Sequence, residues 1–413
     1  MKEFKLTRIR RFYPDNSLKD VRKTCQDELQ KFVGHIKKNS SIAIGVGSRG
    51  IDNIQLITKE VVDFVKSQNA NPFIIPAMGS HGGATAEGQI EILNSYGITE
   101  RNVGAPIRSS MDVVELPNSG IPDPVFMDKN AFQSDGIILI NKIKPHTDFH
   151  STYESGLVKM SVIGLGKERG AASIHHYGVY GLTNLIPEVA KAIYGTGKIL
   201  GGIALIENAN DKTMLLQAIV GNEIIPSEPG LLKIARSNMP ALPVDKIDVL
   251  LIDRMGKNLS GAGIDTNIIG RIKIFGQPEP GKPDIRSIVV SDLTEESHGN
   301  AIGIGLADVI TQTLFGKINF EVTNKNVATS SFLERGKIPI VAENDKSALL
   351  LALRNCGLVD EGTERIIRIK DTLHLDKLYV SDAVLDELKD DPLIEAEGHK
   401  TDIFNNSNYF NPF

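Results

Sequence analysis

Ser41–Gly50 reads SIAIGVGSRG, and this stretch decides the fold. Ile42, Ala43, Ile44 and Val46 make a short apolar run that passes straight into glycine, serine and arginine. Such a run predicts a strand buried on both faces, and Ile54–Val65 after it has the apolar spacing of a helix. The pair is the first part of a βαβ unit. Upstream, Leu18, Val21, Cys25, Leu29, Phe32, Val33 and Ile36 form a helical stripe. Downstream, strands are predicted at Pro72–Met78, at Asp135–Asn141 (DGIILIN) and at Ile199–Ile206, with a helix opening near Thr85. Pro240 and Pro243 interrupt the chain before Ile247–Asp253 (IDVLLID) begins a second series, which includes a strand at Ser287–Ser291. The alternation predicts an α/β protein of two α/β domains with mainly parallel sheets, 1–243 and 244–413. The active site is expected in the cleft between them, and the tail DIFNNSNYFNPF is expected either to dock, on the core or back on the first domain, or to fray.

Composition narrows the function. A chain of 413 residues is too long for one ordinary core. A net charge of −5 offers no reason to bind nucleic acid or an anionic membrane. Cys25 and Cys356 are the two cysteines, too few and too far apart for a disulfide framework. No apolar run approaches the length of a membrane span, and MKEFKLTRIRRFYPDN lacks a signal-peptide core. A cytoplasmic protein with no nucleic-acid and no membrane partner is expected.

Each predicted strand runs into reactive residues. The first ends at Arg49, the second at His81 in GSHGG, the third in KIKPHTDFH with His146 and His150, and the fourth at Glu207 and Asp211. Parallel sheets bind ligands at the carboxyl ends of their strands, where loops and helix N-termini converge. Strand-to-helix loops are also polar as a rule, but three of nine histidines on them indicates a site. Arg49 offers a planar fork suited to a carboxylate, unless it is simply an exposed arginine. His81, among glycines, makes a better acid or base than a core residue; helix capping is its plain alternative. Lys159 lies among Leu157, Val158, Met160, Val162 and Ile163, a setting that lowers an amine pKa, whereas a surface lysine would extend its head to water. His175 and His176 follow a glycine-rich turn, and either imidazole suits nickel. Gly45, Gly47 and Gly50 match the dinucleotide fingerprint literally, yet the next strand ends without the required acid, which disfavours NAD.

In this order, GSRG, GSHGG, Pro145-His146, Lys159 and His175 resemble the lactate racemase superfamily, whose members use a nickel-pincer nucleotide. The interval of sixteen residues from Lys159 to His175 fits that family, and SGAGIDTNIIGR and DLTEESHGNAIGIGLAD extend the resemblance into the second half. The resemblance implies racemisation or epimerisation of a small 2-hydroxy acid by hydride transfer. It implies that Lys159 tethers the nucleotide, that His175 ligates nickel, and that Ser155 and Gly156 lie at the cofactor. Arg49 would bind the substrate carboxylate, with His81 and His146 as opposed acid and base. Enzymes that assemble the nucleotide are the implied partners. HSTYESG stands where relatives carry a GYSGG-like phosphate loop, GSRG replaces an Asp-x-Thr-Arg element, and the chain has no tryptophan. His150 is a second candidate for the role of His146, and Arg271 and Lys273 are candidate contacts from the second domain.

Two other readings use the same residues. His146, His150 and His175 could bind zinc in a hydrolase or lyase, although Pro145 and the absence of a helical pattern speak against a chelating helix. The chain could also bind or carry the nickel nucleotide without catalysis.

Overall fold

The computed structural model describes residues 4–117, 121, 123–357 and 362–413. Its strands are β1 (Lys5–Arg11), β2 (Ser41–Val46), β3 (Asn71–Pro76), β4 (Val113–Glu115), β5 (Phe126–Asp128), β6 (Gly136–Lys142), β7 (Ile199–Glu207) and β8 (Thr213–Val220). They continue with β9 (Lys246–Met255), β10 (Asp284–Leu293), β11 (Val309–Thr311), β12 (Ile340–Ala342), β13 (Ile366–Ile369), β14 (Lys377–Val380) and β15 (Ile394–Asp402). The chain divides into two compact units, Asp15–Met239 and Pro240–Phe413, the latter joined by the residues up to Pro14.

In the first unit the described strands form a sheet of order β3-β2-β6-β7-β8, parallel except for β8. Side chains alternate across it. Ala43, Phe73, Ile75, Ile137 and Leu139 enter one core, while Ile42, Ile44, Val46, Ile74, Ile138 and Ile140 enter the other. Both faces are covered, which is why these strands read as unbroken apolar runs. The helix Ile54–Ser67 packs on one face, and Ile186–Gly195 lies in the core of the other. The helical stripe from Leu18 resolves into a helix, Val21–Leu29, and a tight turn, Gln30–Phe32.

The other unit has a mixed sheet of order β12-β11-β10-β9-β13-β14-β1-β15. From β12 to β13 the pairing is parallel, and β14, β1 and β15 extend it antiparallel. Here the structure departs from a single cut near residue 243. β1 pairs with β14 and β15, for instance Thr7 with Val380 and Ile9 with Ala396, so the first fourteen residues belong with the second half. Leu6 and Ile9 are buried in that position, a strand whose partners lie hundreds of residues away and leave no local signal.

Of the alternatives for the tail, docking is the one adopted, on the core of the second unit. Phe404 and Phe410 stack with centroids 5.3 Å apart and join the core of the second unit with Phe4. Arg368, fully buried, donates to both carboxylate oxygens of Asp253 at 2.7 Å and to the Asn411 carbonyl at 2.6 Å, and it lies 4.2 Å from the Phe410 ring centroid. Among the described residues no helix is long and apolar enough to cross a membrane.

Candidate active site

Three strand-end loops of the first unit close on one helical segment. Leu157–Lys159 starts as an α-helix and continues as a π turn, Met160–Gly164, sealed by the Leu165 N–H on the Met160 carbonyl at 2.9 Å. Such π turns often mark functional positions in helices. The loop after β3 docks on it: Gly79 donates to the Gly164 carbonyl at 3.2 Å. A Cβ on Gly79 would stand 3.1 Å from Ile163, and its φ of +60° independently favours glycine. The loop after β2 is equally close, since a Cβ on Gly47 would stand 3.2 Å from Asn141 Oδ1 and 3.7 Å from Met160. The loop after β6 leads into the helix, with the Asn141 amide donating to the Gly156 carbonyl at 2.7 Å.

Lys159 is the chemical centre of this convergence. Among the described residues it has neither ion pair nor hydrogen bond, and its Nζ lies 5.1 Å from the centroid of the Phe149 ring. Burial first, with a contribution from Arg49, lowers its pKa to about 8 against the opposing pull of Asp148 and Glu154. The three histidines feel the same charges. His81 hydrogen-bonds Ser48 Oγ through Nδ1, and its ring keeps an exposed edge. Desolvation, then Arg49 and Lys159, brings it down to about 4. His146 is held well below its ordinary value by burial, Lys159, Arg49, Lys144 and His175. His175, at the end of the helix Lys167–His176, is lowered by burial and by Lys159. Arg49, His81, His146, Lys159 and His175 thus form one electrostatic neighbourhood in which the imidazoles are neutral at pH 7. The Asp148 N–H donates to His146 Nδ1 at 3.0 Å, which puts the proton of the neutral ring on Nε2.

Buried polar residues that carried no sequence signal hold this arrangement. Glu154, almost fully buried, accepts from the His146 N–H at 2.7 Å and from Arg236 at 2.6 Å, and lies 3.4 Å from His150 Nδ1. Lys167, fully buried, is 3.1 Å from Asp128, donates to the Pro76 carbonyl at 2.6 Å and reaches Gln89 at 3.1 Å. Gln89 in turn donates to the Gly79 and His81 carbonyls at 2.9 and 3.2 Å. This chain of contacts ties the His81 loop to the helix that ends in His175. Glu228 accepts from the Val158 N–H at 3.0 Å and caps the Lys159 helix, while its Oε1 is buried without a hydrogen-bond partner. Sequence reading passed over it because Pro226 and Pro229 flank it inside a helix, Gly221–Ser237.

Burial raises the Glu228 carboxyl to about 7, against the lowering effect of the Val158 and Leu157 N–H groups. A raised carboxyl pKa stabilises the fold below the unfolded value and loses that contribution as pH rises through the folded one. Glu228→Gln should therefore gain in melting temperature relative to wild type between about pH 4.5 and 7, and level off above. Paired thermal melts by circular dichroism across that range check it; a constant difference would show that Glu228 does not titrate there.

The other candidates are placed differently. Ser155 pairs with Lys144 through its backbone at 3.0 and 3.2 Å, and Gly156 abuts Glu228, to whose Oε1 a Cβ would come within 2.4 Å. Both lie at the base of the Lys159 helix, whose first N–H groups are already taken by the Glu228 carboxylate. His146 and His150 occupy a loop, and both engage Glu154. His176 packs edge-on against Tyr177 at 5.4 Å. Arg271 binds Asp308 at 2.7 Å and the Ile285 carbonyl at 2.7 Å, and Lys273 binds the Gly305 carbonyl at 2.9 Å, so both serve the second unit internally. A cleft of about 590 Å³ in that unit, lined by Lys273, Glu334, Lys337 and Arg354 among others, shares no residue with the histidine set. Among the described residues no three of His, Cys, Asp and Glu are grouped to hold a metal ion.

No protein-family model and no curated protein sequence matches the chain. Solved structures do. A protein of Thermotoga maritima is 14% identical, with a TM-score of 0.46 over 68% of this chain and 72% of its own. The lactate racemase apoprotein of Thermoanaerobacterium thermosaccharolyticum is 13% identical, with a TM-score of 0.57 over 89% of this chain and 98% of its own. At that identity the likeness carries architecture alone: this α/β chain has the fold of the lactate racemase apoprotein.

Proposed function

We propose that the protein is a cytoplasmic isomerase that racemises or epimerises a small 2-hydroxy acid with a nickel-pincer nucleotide held by Lys159 and His175. The observation that carries this reading is the desolvated amine of Lys159, unpaired among the described residues, with three neutral imidazoles and an arginine around it, on a racemase fold. The residues suit the nucleotide at two points. An amine near pKa 8 without a carboxylate partner is available for acylation, and His175, neutral at pH 7, offers a lone pair to nickel. When bound, the group supplies an electrophilic carbon that can accept hydride. The N–H groups of Leu157 and Val158 offer no seat for its phosphate, because the Glu228 carboxylate already takes them.

The chain's own residues would handle charge and protons. Arg49, exposed beside His81, binds the substrate carboxylate. His81 and His146 exchange the hydroxyl proton: His81 can accept it and, once charged, return it, whereas the neutral His146 ring, with its proton on Nε2, must release the Asp148 N–H from Nδ1 before it can accept one. Two such groups are needed because the two enantiomers present the hydroxyl from opposite sides. The C–H beside a hydroxyl and a carboxylate is a very weak acid, so moving it as hydride avoids a carbanion.

The test is a panel of single-enantiomer 2-hydroxy acids given to protein made together with the nucleotide-assembly enzymes, followed by chiral chromatography in D₂O. Racemisation with the original hydrogen kept on carbon is expected. Deuterium entering that carbon would replace hydride transfer by deprotonation. A fully loaded protein inactive on the whole panel would favour a non-catalytic carrier of the nucleotide.

A further inference from the structure

The second unit holds a polar cluster at the carboxyl ends of its central strands. After β9 the chain proceeds to β10 on one side, and after β13 it proceeds to β14 on the other. The two exits therefore diverge, and a crevice outside the strand ends is the place where open α/β sheets take ligands. Arg254 lies near the end of β9, and Asp371, Thr372 and His374 lie just after β13.

Asp371 is fully buried and organises the rest. Its Oδ1 accepts from the Leu373 and His374 N–H groups, each at 3.0 Å, and from His374 Nδ1 at 2.6 Å. Its Oδ2 accepts from Arg254 Nε at 3.3 Å. One carboxylate thus fixes a guanidinium and an imidazole side by side. Their other ends are uncommitted: among the described residues Arg254 makes no hydrogen bond through its terminal nitrogens, and His374 none through Nε2. Both side chains are nearly half exposed, at 40% and 46%. The nearby acids are engaged elsewhere. Asp253 is held by Arg368, and Asp265, whose N–H donates to Thr372 Oγ1 at 3.0 Å, caps its own helix through Asn267.

We propose that Arg254 and His374, both anchored on Asp371, form an oxyanion-binding site that takes the carboxylate or phosphoryl group of a small metabolite. A guanidinium held through Nε keeps its two terminal nitrogens for a bidentate grip, and the imidazole, whose Nδ1–H is committed to Asp371, adds a third donor at Nε2 in its imidazolium form. The site uses residues of the second unit alone and needs no nucleotide, so it stands or falls separately from the proposed isomerase.

The full chain, without nucleotide, is titrated with inorganic phosphate and separately with malonate at constant ionic strength. The imidazole resonances of its nine histidines are followed by NMR, with those of His374 assigned through His374→Gln. Saturable movement of the His374 resonances is expected, with half-saturation on the order of millimolar, and Arg254→Gln should weaken it about ten-fold. A response to phosphate alone marks a phosphoryl site, and a response to malonate alone a carboxylate site. No saturable movement with either anion, or an unchanged response in Arg254→Gln, overturns the proposal and leaves Asp371 as a loop cap.

Discussion

Lys159→Met protein, made beside the nucleotide-assembly enzymes, is expected to carry no mass adduct and to show no racemisation. Methionine keeps the length and the apolar contact with Phe149 while removing the amine, so loss of function should come without loss of fold. The variant should in fact be more stable at neutral pH. The folded-state pKa of Lys159 is lowered from 10.5 to about 8, so below pH 8 the unfolded chain holds this proton more comfortably than the folded one. The stability gained by the substitution should be largest there and shrink as pH rises from about 8 toward 10.5. Empty wild-type protein gives a third readout. Reductive methylation followed by peptide mass spectrometry should modify Lys159 with a half-maximal rate near pH 8, well below the pH at which exposed lysines respond. An adduct surviving in Lys159→Met would move the tether to another residue. An ordinary lysine profile at Lys159 would remove the physical reason for choosing it.

Arg368→Met is expected to destabilise the protein by about 3–5 kcal/mol, the usual loss when one member of a buried ion pair is removed. The arginine is fully buried, grips Asp253 with two hydrogen bonds, binds the Asn411 carbonyl and lies against Phe410. Its removal leaves a carboxylate whose pKa burial already raises, and it unfastens the tail. The loss should lessen as pH falls, because Asp253 can then take up a proton. Replacing the pair together, Arg368→Met with Asp253→Leu, should recover much of the stability, since an apolar pair of similar volume needs no desolvated charge. Urea denaturation monitored by circular dichroism measures both variants. A loss below about 1 kcal/mol would place this pair with weak surface bridges instead.

What could be read in advance followed from local pattern. Ser41–Val46, Asp135–Ile140 and Ile199–Ile206 are apolar on both faces because both faces of their sheet are covered, and periodicity reports that directly. The polar strand ends were visible for the same reason, and with them Arg49, His81 and His146. The groups that hold those residues were not. Glu154, Glu228 and Lys167 are charged side chains that periodicity assigns to the surface, and they are buried only because partners distant in the chain meet them there. Glu154 left a trace, as one of two carboxylates, with Asp148, in the His146 loop. The spacing of His146 and His150 suggested a chelating pair, yet the His150 ring turns to the Glu154 carboxylate, which also takes the His146 backbone N–H, while the His146 ring accepts from the Asp148 N–H. For Arg271 and Lys273, position alone could not separate a ligand contact from the internal carbonyls and carboxylate that occupy them.

The position of β1 between β14 and β15 has a consequence for biosynthesis. Residues 15–239 form a unit whose described strands need nothing from either end of the chain, so it can finish folding while the ribosome is still translating. The opening strand cannot. Leu6 and Ile9 are made before that unit and remain without hydrogen-bonded neighbours until β14 and β15 have been made. Such a waiting strand invites mispairing with other nascent chains until residues 377–402 are made.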